Sequence, residues 1–549
     1  MIKKIRKLLL IFLLYSNELK INAYEYFRAL LSLKSYFLIY DKNITNLLNF
    51  NRDNIFYSTK KNQYILIDIF HDYSWIISNS IISTNYAKKY DLQLCSYNSQ
   101  PGGYKRNPLI NKIYNSFGCK KHLPVKLTFS QKIHQMKLFF SIIKDLKTKE
   151  DLFNLKVDGV WIGIEIYESI LRGYTPTVTI NSLSTKINIF KSLRYYIYFN
   201  NYFNEKKIKA LFISHDTYIT TGIPMKLAFK FKVPVFLANS REIIQVEKPH
   251  QLYFRFKKYR YYFDSLNNKL KEVAIELSKE NIKKRLDGFL KIDMDYQEKS
   301  AFDKNFIARQ TNNNNKTKVL ITSHCFFDNP HCYGGMLFTD FYEWLNFLAL
   351  QSKTTNYEWY IKPHRDYLPG TLEILNSFIP KFKNLKIINP DTSFHQLKKE
   401  GIKNILTCYG SVGHELPILG FNVINAGYNP HINFDFNTNC LTINEYSKVL
   451  KSLNNKEIKV NLRDIYKFYY IHNIYFNCDL FAENFKRNSN SLLNFSGKDF
   501  IRVFLSNKKY YSVFKKNLLN FNNYNSIYSW EYLYKDNSYF KPEIRNNKI

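Results

Sequence analysis

Short apolar runs alternate with longer stretches of helical spacing along this chain. YILIDIF at 64–70 predicts a buried strand, the segment from Ser74 to Tyr90 a helix, and LQLCSY at 92–97 the next strand. A second unit of the same kind starts at KALFISHD, 209–216. It continues through a helix near Ile223–Phe231 and returns in the strand VPVFLA, 233–238. A polar, basic stretch follows, with helical character around Leu270–Leu290. Strands separated by helices in this way predict parallel α/β layers.

The run TNNNNKTK at 311–318 interrupts the pattern. Consecutive asparagines cannot build a core and favour turns, so a linker is expected there. A new alternation begins at once with KVLITSH at 318–324. EWYIKPH at 358–364, LKIINP at 385–390, NILTCYG at 404–410 and FNVINAG at 421–427 carry it on. Five strands separated by helices predict a second Rossmann-like domain. No repeat at solenoid periods is present. The expected organisation is an N-terminal helical segment at 1–60, a Rossmann-like domain at 61–310, the linker, a second Rossmann-like domain at 319–461, and an aromatic, helical tail at 462–549.

Composition narrows the classes. A chain of 549 residues is too long for one ordinary core, in agreement with two domains. With 45% hydrophobic and 23% charged residues it has the balance of a globular protein. LLLIFLLY at 8–15 falls far short of a bilayer span, so a polytopic membrane protein is excluded. The formal charge of +35 would ordinarily indicate a polyanion or an anionic surface. Its lysines are scattered singly among abundant Asn, Ile, Tyr and Phe, however, which reads as compositional drift, and nucleic acid is not the expected partner. Seven cysteines without a CxxC pair fit a reducing cytoplasm better than a disulfide framework or structural zinc. MIKKIRK with LLLIFLLY imitates the front of a signal peptide, but SNELKINAYEYF, which follows, has no small-residue cleavage site. A helix lying on protein or on a membrane surface is expected instead.

Candidate chemistry gathers where predicted strands end. In open parallel sheets, ligands bind at the carboxyl ends of strands. His324 ends the first strand of the second domain, with His331 in the segment that follows; Lys362 and His364 end the next strand. Gly410, Ser411 and Gly413 form a small-residue turn into a helix carrying Glu415, and Asn425 ends the strand after that. Glycines let a backbone approach a ligand closely, and a helix start attracts phosphate. Glu415, one helical turn beyond Ser411, is placed to reach a ribose hydroxyl; the alternative is a helix start with Ser411 as cap. Lys362 and His364 suit an anionic leaving group. His324, His331 and Asp328 lack an HxH or HExxH spacing, and no metal is expected. In the first domain, His215 and Asp216 end a strand, and Glu165 lies in VDGVWIGIEIYESILRGY at 157–174. A carboxylate there suits a general base, Asp216 ahead of Glu165. No nucleophile elbow, P-loop or dinucleotide fingerprint is found.

KPH at 362–364 and CYGSVGHELPILGFNVINAG at 408–427 resemble the C-terminal domain of GT-B glycosyltransferases, in particular bacterial capsule and surface-polysaccharide biosynthesis proteins. IGIEIYESILR at 162–172 and ISHDTYITTGIPMKLAFKFKVPVFL at 213–237 are similar to N-domain blocks of that group. The resemblance spans about residues 60–460. Two positions depart from it: His364 is followed by Arg365 rather than Pro, and Glu165 stands where Asp is expected. The resemblance implies two Rossmann-like domains facing each other across a cleft. The second would hold a nucleotide-sugar donor through His324, His331, Lys362, His364, Gly410, Ser411, Gly413, Glu415 and Asn425. The first would activate a surface-glycan or lipid-linked acceptor through Asp216, Glu165 and His215. No metal or other cofactor is implied, and the place of work would be the cytoplasm, with peripheral contact to the inner membrane surface. Within enzymes the alternatives are a glycerol-phosphate-type polymer transferase and a nucleotide-sugar epimerase; outside them, a polyanion- or RNA-binding protein.

Overall fold

The structure is a computed structural model that describes residues 9–16 and then, with breaks, 45–98 and 108–475. It divides into two compact units. The described residues of the first lie within 9–169 and 179–246, and those of the second within 170–178 and 255–475.

The first unit is built on a six-stranded sheet. Its strands are β1 (Tyr64–Ile69), β2 (Gln93–Asn98), β3 (Lys121–Leu123), then, after a small hairpin of β4 (Lys156–Val157) and β5 (Val160–Trp161), β6 (Ile208–Ile213), β7 (Val235–Ala238) and β8 (Ile243–Val246). The order across the sheet is β3-β2-β1-β6-β7-β8, parallel throughout except for β8 against β7. All six residues of β1 are buried, as a central strand covered on both faces requires. The hairpin turns on Asp158 and Gly159, both at positive φ, the geometry that matches strand twist. Helix Leu183–Asn204 packs between Phe129–Asp145 and Ile223–Lys230. Thr128 and Gln131 start Phe129–Asp145 with a reciprocal capping box.

The second unit repeats the plan without the reversed strand. Its strands are β9 (Lys318–Thr322), β10 (Glu358–Lys362), β11 (Leu385–Ile387), β12 (Asn404–Thr407), β13 (Asn422–Ala426) and β14 (Thr438–Cys440). They run in the order β11-β10-β9-β12-β13-β14, and every pairing is parallel. Successive residues feed opposite cores. Val319, Ile321, Trp359, Ile361, Leu406 and Ile424 pack with Trp344, Leu348 and Tyr446 on one face. Leu320, Tyr360, Ile405 and Val423 pack with Phe394, Leu397 and Ile402 on the other. Both units are therefore Rossmann-like α/β layers, with the strand order of doubly wound sheets.

The strands read from the sequence are all present, and the short β3, the β4–β5 hairpin, β14 and the reversed β8 are additions. The expected boundary is not where the units part. The described residues of the first unit end at Val246 and the second resumes at Arg255, so the basic helix Asn268–Leu286 belongs to the second unit. The asparagine run is fastened to that unit's sheet. The Thr311 amide donates to Glu400 Oε2 at 2.9 Å, the Asn312 amide to the Tyr360 hydroxyl at 3.0 Å, and the Asn314 side chain to Glu358 at 2.8 Å. Backbone amides and asparagine side chains both supply such bonds, which is why a polar run need not be a free linker.

Of the N-terminal segment, residues 9–16 are helical. Leu14 is buried and Tyr15 meets Phe190 edge-on at 5.3 Å, while Leu9, Phe12 and Leu13 are exposed. Among the described residues no helix is long and apolar enough to cross a membrane. At the other end, helix Leu462–Tyr469 packs on Asn268–Leu286 and is part of the second unit; the expected tail beyond residue 475 lies outside the described residues.

Candidate functional site

In the first sheet the strand order reverses between β1 and β6, and the carboxyl ends of strands at such a reversal are where open α/β sheets bind ligands. Asp68, fifth residue of β1, stands there, fully buried. It accepts the Ser214 amide at 3.1 Å, the Asn79 side-chain amide at 3.3 Å and the Ser214 hydroxyl. Ser214 Oγ is in turn 3.0 Å from Nδ1 of His215. The expected pair His215 and Asp216 is thus at the end of β6, both half-buried, and a further acid, Asp68, stands behind it. An acid inside an apolar strand run was the available signal for Asp68.

Burial pushes the Asp68 carboxyl up from 3.8 to about 6, with the Ser214 hydrogen bonds opposing. Between those values the folded chain holds a proton that the unfolded chain has released. Stability therefore falls as pH rises through that window. The contribution is about 3 kcal/mol, fully present below about pH 4 and lost above about pH 6. Urea midpoints measured across this range should carry that slope in the parent and lack it in Asp68→Asn; identical slopes would refute it.

Glu165 is enclosed by its surroundings. It lies in helix Gly163–Arg172, 1% exposed, with Oε1 2.5 Å from the equally buried Nζ of Lys226. Lys226 also donates to the Trp161 carbonyl at 2.8 Å and lies 4.5 Å over the Trp161 ring. Burial pushes the Glu165 carboxyl up and the Lys226 amine down, while their attraction works the other way. The Glu165 carboxylate is therefore already engaged with its own cation. The Asp216 carboxylate also favours the charged form of Lys226. Between Asp216 and helix Ile223–Lys230 runs a single π-helical turn, Tyr218–Gly222, with Tyr218 at φ +65°.

The second sheet reverses between β9 and β12. His324, two residues past β9, has Nε2 3.1 Å from Thr407 Oγ1 and accepts the Cys408 amide at 3.3 Å. Its ring stacks on Phe341 at 4.5 Å and leans on Tyr409 at 4.8 Å. Burial, with the nearby positive charge of His364, pushes its imidazole down to about 3, so it is neutral at physiological pH. His324 Cε1 is also the nearest atom that a Cβ on Gly410 would meet, at 3.9 Å. The structure thus brings His324, Thr407 and Gly410 together at this rim, with His364 exposed beside them.

Other expected ligand groups turn inward. Lys362 is buried and donates to the Pro390 carbonyl at 2.7 Å. His331 is buried, which pushes it to about 3. Asn425 is buried and donates to Asn439 Oδ1 at 3.1 Å. The helix after Ser411 is one turn, Val412–Glu415, and the amides of Gly413, His414 and Glu415 bond back to Gly410 and Ser411 carbonyls. Those amides are engaged, so the turn presents fewer donors to an anion than its sequence implies. Gly413 is required by packing, since a Cβ there would come within 2.3 Å of His431. Glu415 is likewise enclosed, 2% exposed, its Oε1 paired with Arg285 and its Oε2 accepting from Ser411 Oγ at 3.0 Å. A ribose hydroxyl would have to displace one of those partners. Neither Lys226 nor Arg285 was singled out in the sequence, because each meets its acid only through the fold. Among the described residues, no three His, Cys, Asp or Glu side chains are arranged to hold a metal ion.

No family model and no curated protein sequence matches the chain. Among solved structures it is similar to the beta Kdo 2,4 transferase KpsC of Thermosulfurimonas dismutans, 12% identical, covering 48% of this chain and 79% of that one at a TM-score of 0.30. The beta Kdo 2,7 transferase KpsC of the same organism is 13% identical over 49% and 79%, also at 0.30. A glycosyltransferase from Rickettsia africae is 11% identical over 85% and 99%, at 0.23. Superpositions this loose establish neither a family nor a reaction.

Proposed function

We propose that this chain is a glycosyltransferase of GT-B type, moving a sugar from a nucleotide-sugar donor to a surface-polysaccharide or lipid-linked glycan acceptor. The observation that carries the reading is the doubled switch point. Each Rossmann-like unit ends its two central strands in polar groups: Asp68, Ser214, His215 and Asp216 in the first, His324, Thr407 and the Gly410–Ser411 turn in the second. In this reading the two units divide the work. The second holds the donor, its phosphates met by His364 and the turn, with Lys362 behind them, and without a bound metal. The first takes the acceptor proton at the end of β6. The exposed Leu9, Phe12 and Leu13 would rest on the inner membrane surface, where lipid-linked acceptors lie.

A panel of UDP-, GDP-, CMP- and dTDP-sugars tests it by thermal shift. A true donor at about 100 times its dissociation constant adds about 2.7 kcal/mol of stability. With that donor, His215→Ala and Asp216→Asn are compared for donor affinity by calorimetry and for initial rate. At least one should lose ~100-fold in turnover while binding donor as the parent does. Normal turnover in both places the base away from β6, and no stabilisation by any nucleotide-sugar overturns the transferase reading.

A further inference from the structure

The groups at the end of β6 form a directed chain. Ser214 donates its amide to Asp68 Oδ1 and its hydroxyl to Asp68 Oδ2, and the same hydroxyl oxygen faces Nδ1 of His215 at 3.0 Å. A serine hydroxyl has one proton. While Asp68 is ionised that proton is committed to the carboxylate, so Ser214 Oγ can only accept from the imidazole. The neutral His215 ring must then carry its proton on Nδ1 and its lone pair on Nε2. Nothing else on β1 explains an acid there: β1 is otherwise apolar apart from the Tyr64 hydroxyl, and the side-chain amide of Asn79 is a further donor to the same carboxylate.

We propose that Asp68, acting through Ser214, holds His215 in its Nδ1–H form, so that Nε2 is the base that receives the acceptor's proton. Asp68 and Ser214 are positioning residues. This assignment rests on the transferase reading for the identity of the proton, but the tautomer does not. In the step, the acceptor oxygen forms its bond to the anomeric carbon and the anomeric C–O bond to the donor phosphate breaks. The electron pair leaves with the phosphate, and the acceptor's proton passes to Nε2. The imidazolium so formed keeps its Nδ1–H donated to Ser214, with the Asp68 charge beyond it. Asp216, whose carboxylate interacts with Lys226, is then a neighbour of the base rather than the base.

The test reads the tautomer directly. Two-bond proton–nitrogen spectra of the full chain with labelled histidines, at about pH 8 where an ordinary imidazole is neutral, identify the protonated nitrogen. The His215 signals are assigned by their loss in His215→Gln. The parent should show His215 as Nδ1–H. In Asp68→Asn the new amide donates to Ser214, whose proton turns to Nδ1, and His215 should switch to Nε2–H. Should Asp68→Asn not fold, Ser214→Ala should release the tautomer and Ser214→Thr, which keeps the hydroxyl, should retain it. With an identified donor, Asp68→Asn should lose ~100-fold or more in turnover at unchanged donor affinity, as a base left in the wrong tautomer does. An Nε2–H parent, a tautomer indifferent to Asp68 and Ser214, or a tautomer switch with normal turnover each overturns the proposal. If no nucleotide-sugar supports transfer but the tautomer follows Asp68, the relay stands and the transferase reading falls.

Discussion

Lys226→Met should lower the stability of the first unit by about 3–5 kcal/mol, the range seen when one partner of a buried ion pair is removed. Lys226 is 4% exposed and Glu165 1%, so solvent cannot replace the lost cation. The stranded carboxyl then takes up a proton or drags water into the core, and both are costly. The double variant Glu165→Leu with Lys226→Met should recover most of the loss, since apolar groups of similar size remove both desolvation penalties together. Gly222→Ala attacks the same pair from another side. A Cβ there would fall 2.6 Å from Glu165 Cγ and 2.9 Å from Oε1, closer than real contacts allow. Hydrogen exchange against urea, read on peptides carrying β1 and β6, assigns the effect to this unit. A single variant as stable as the parent would show that the pair contributes nothing, and a double variant no better than the single would show that the strain lies elsewhere.

Glu415→Ala should destabilise the second unit by a similar amount, about 3–5 kcal/mol, before any effect on ligand binding is measured. Its partner Arg285 is 6% exposed and comes from helix Asn268–Leu286, so the carboxylate pins that helix to the turn following β12. Arginine cannot shed its charge as a buried lysine can, which leaves the whole desolvation penalty in the variant. The alternative, a carboxylate that serves a ribose hydroxyl, gives the opposite pattern. Nucleotide affinity would fall by about 1–3 kcal/mol with an unchanged unfolding midpoint. Urea unfolding and calorimetry on the same sample separate the two. Arg285→Met should reproduce the stability loss, and a normal midpoint for both variants would return Glu415 to the donor site.

What was legible in the sequence follows from locality. A strand such as KVLIT or NILT declares itself by a short apolar, β-branched run, and the helices between strands favour parallel pairing through crossovers. The α/β class, the two sheets and the candidate positions His215, Asp216, His324 and Gly410 at strand ends were therefore available from spacing alone. Tertiary structure decided what each polar group does, because its partner is remote along the chain. Asp68 and Ser214 are 146 residues apart, and Arg285 and Glu415 are 130. Glu415 and Glu165 carry the same local signature as a reachable acid. Only the arrival of Arg285 and Lys226 turns them into buried counter-ions. The asparagine run at 311–318 is the same case in reverse: four polar side chains look like a linker until Glu358, Tyr360 and Glu400 come within hydrogen-bonding distance. Local patterning sets backbone geometry through residue-by-residue sterics and burial, whereas charge pairing and proton placement depend on desolvation and on neighbours that only the folded chain assembles.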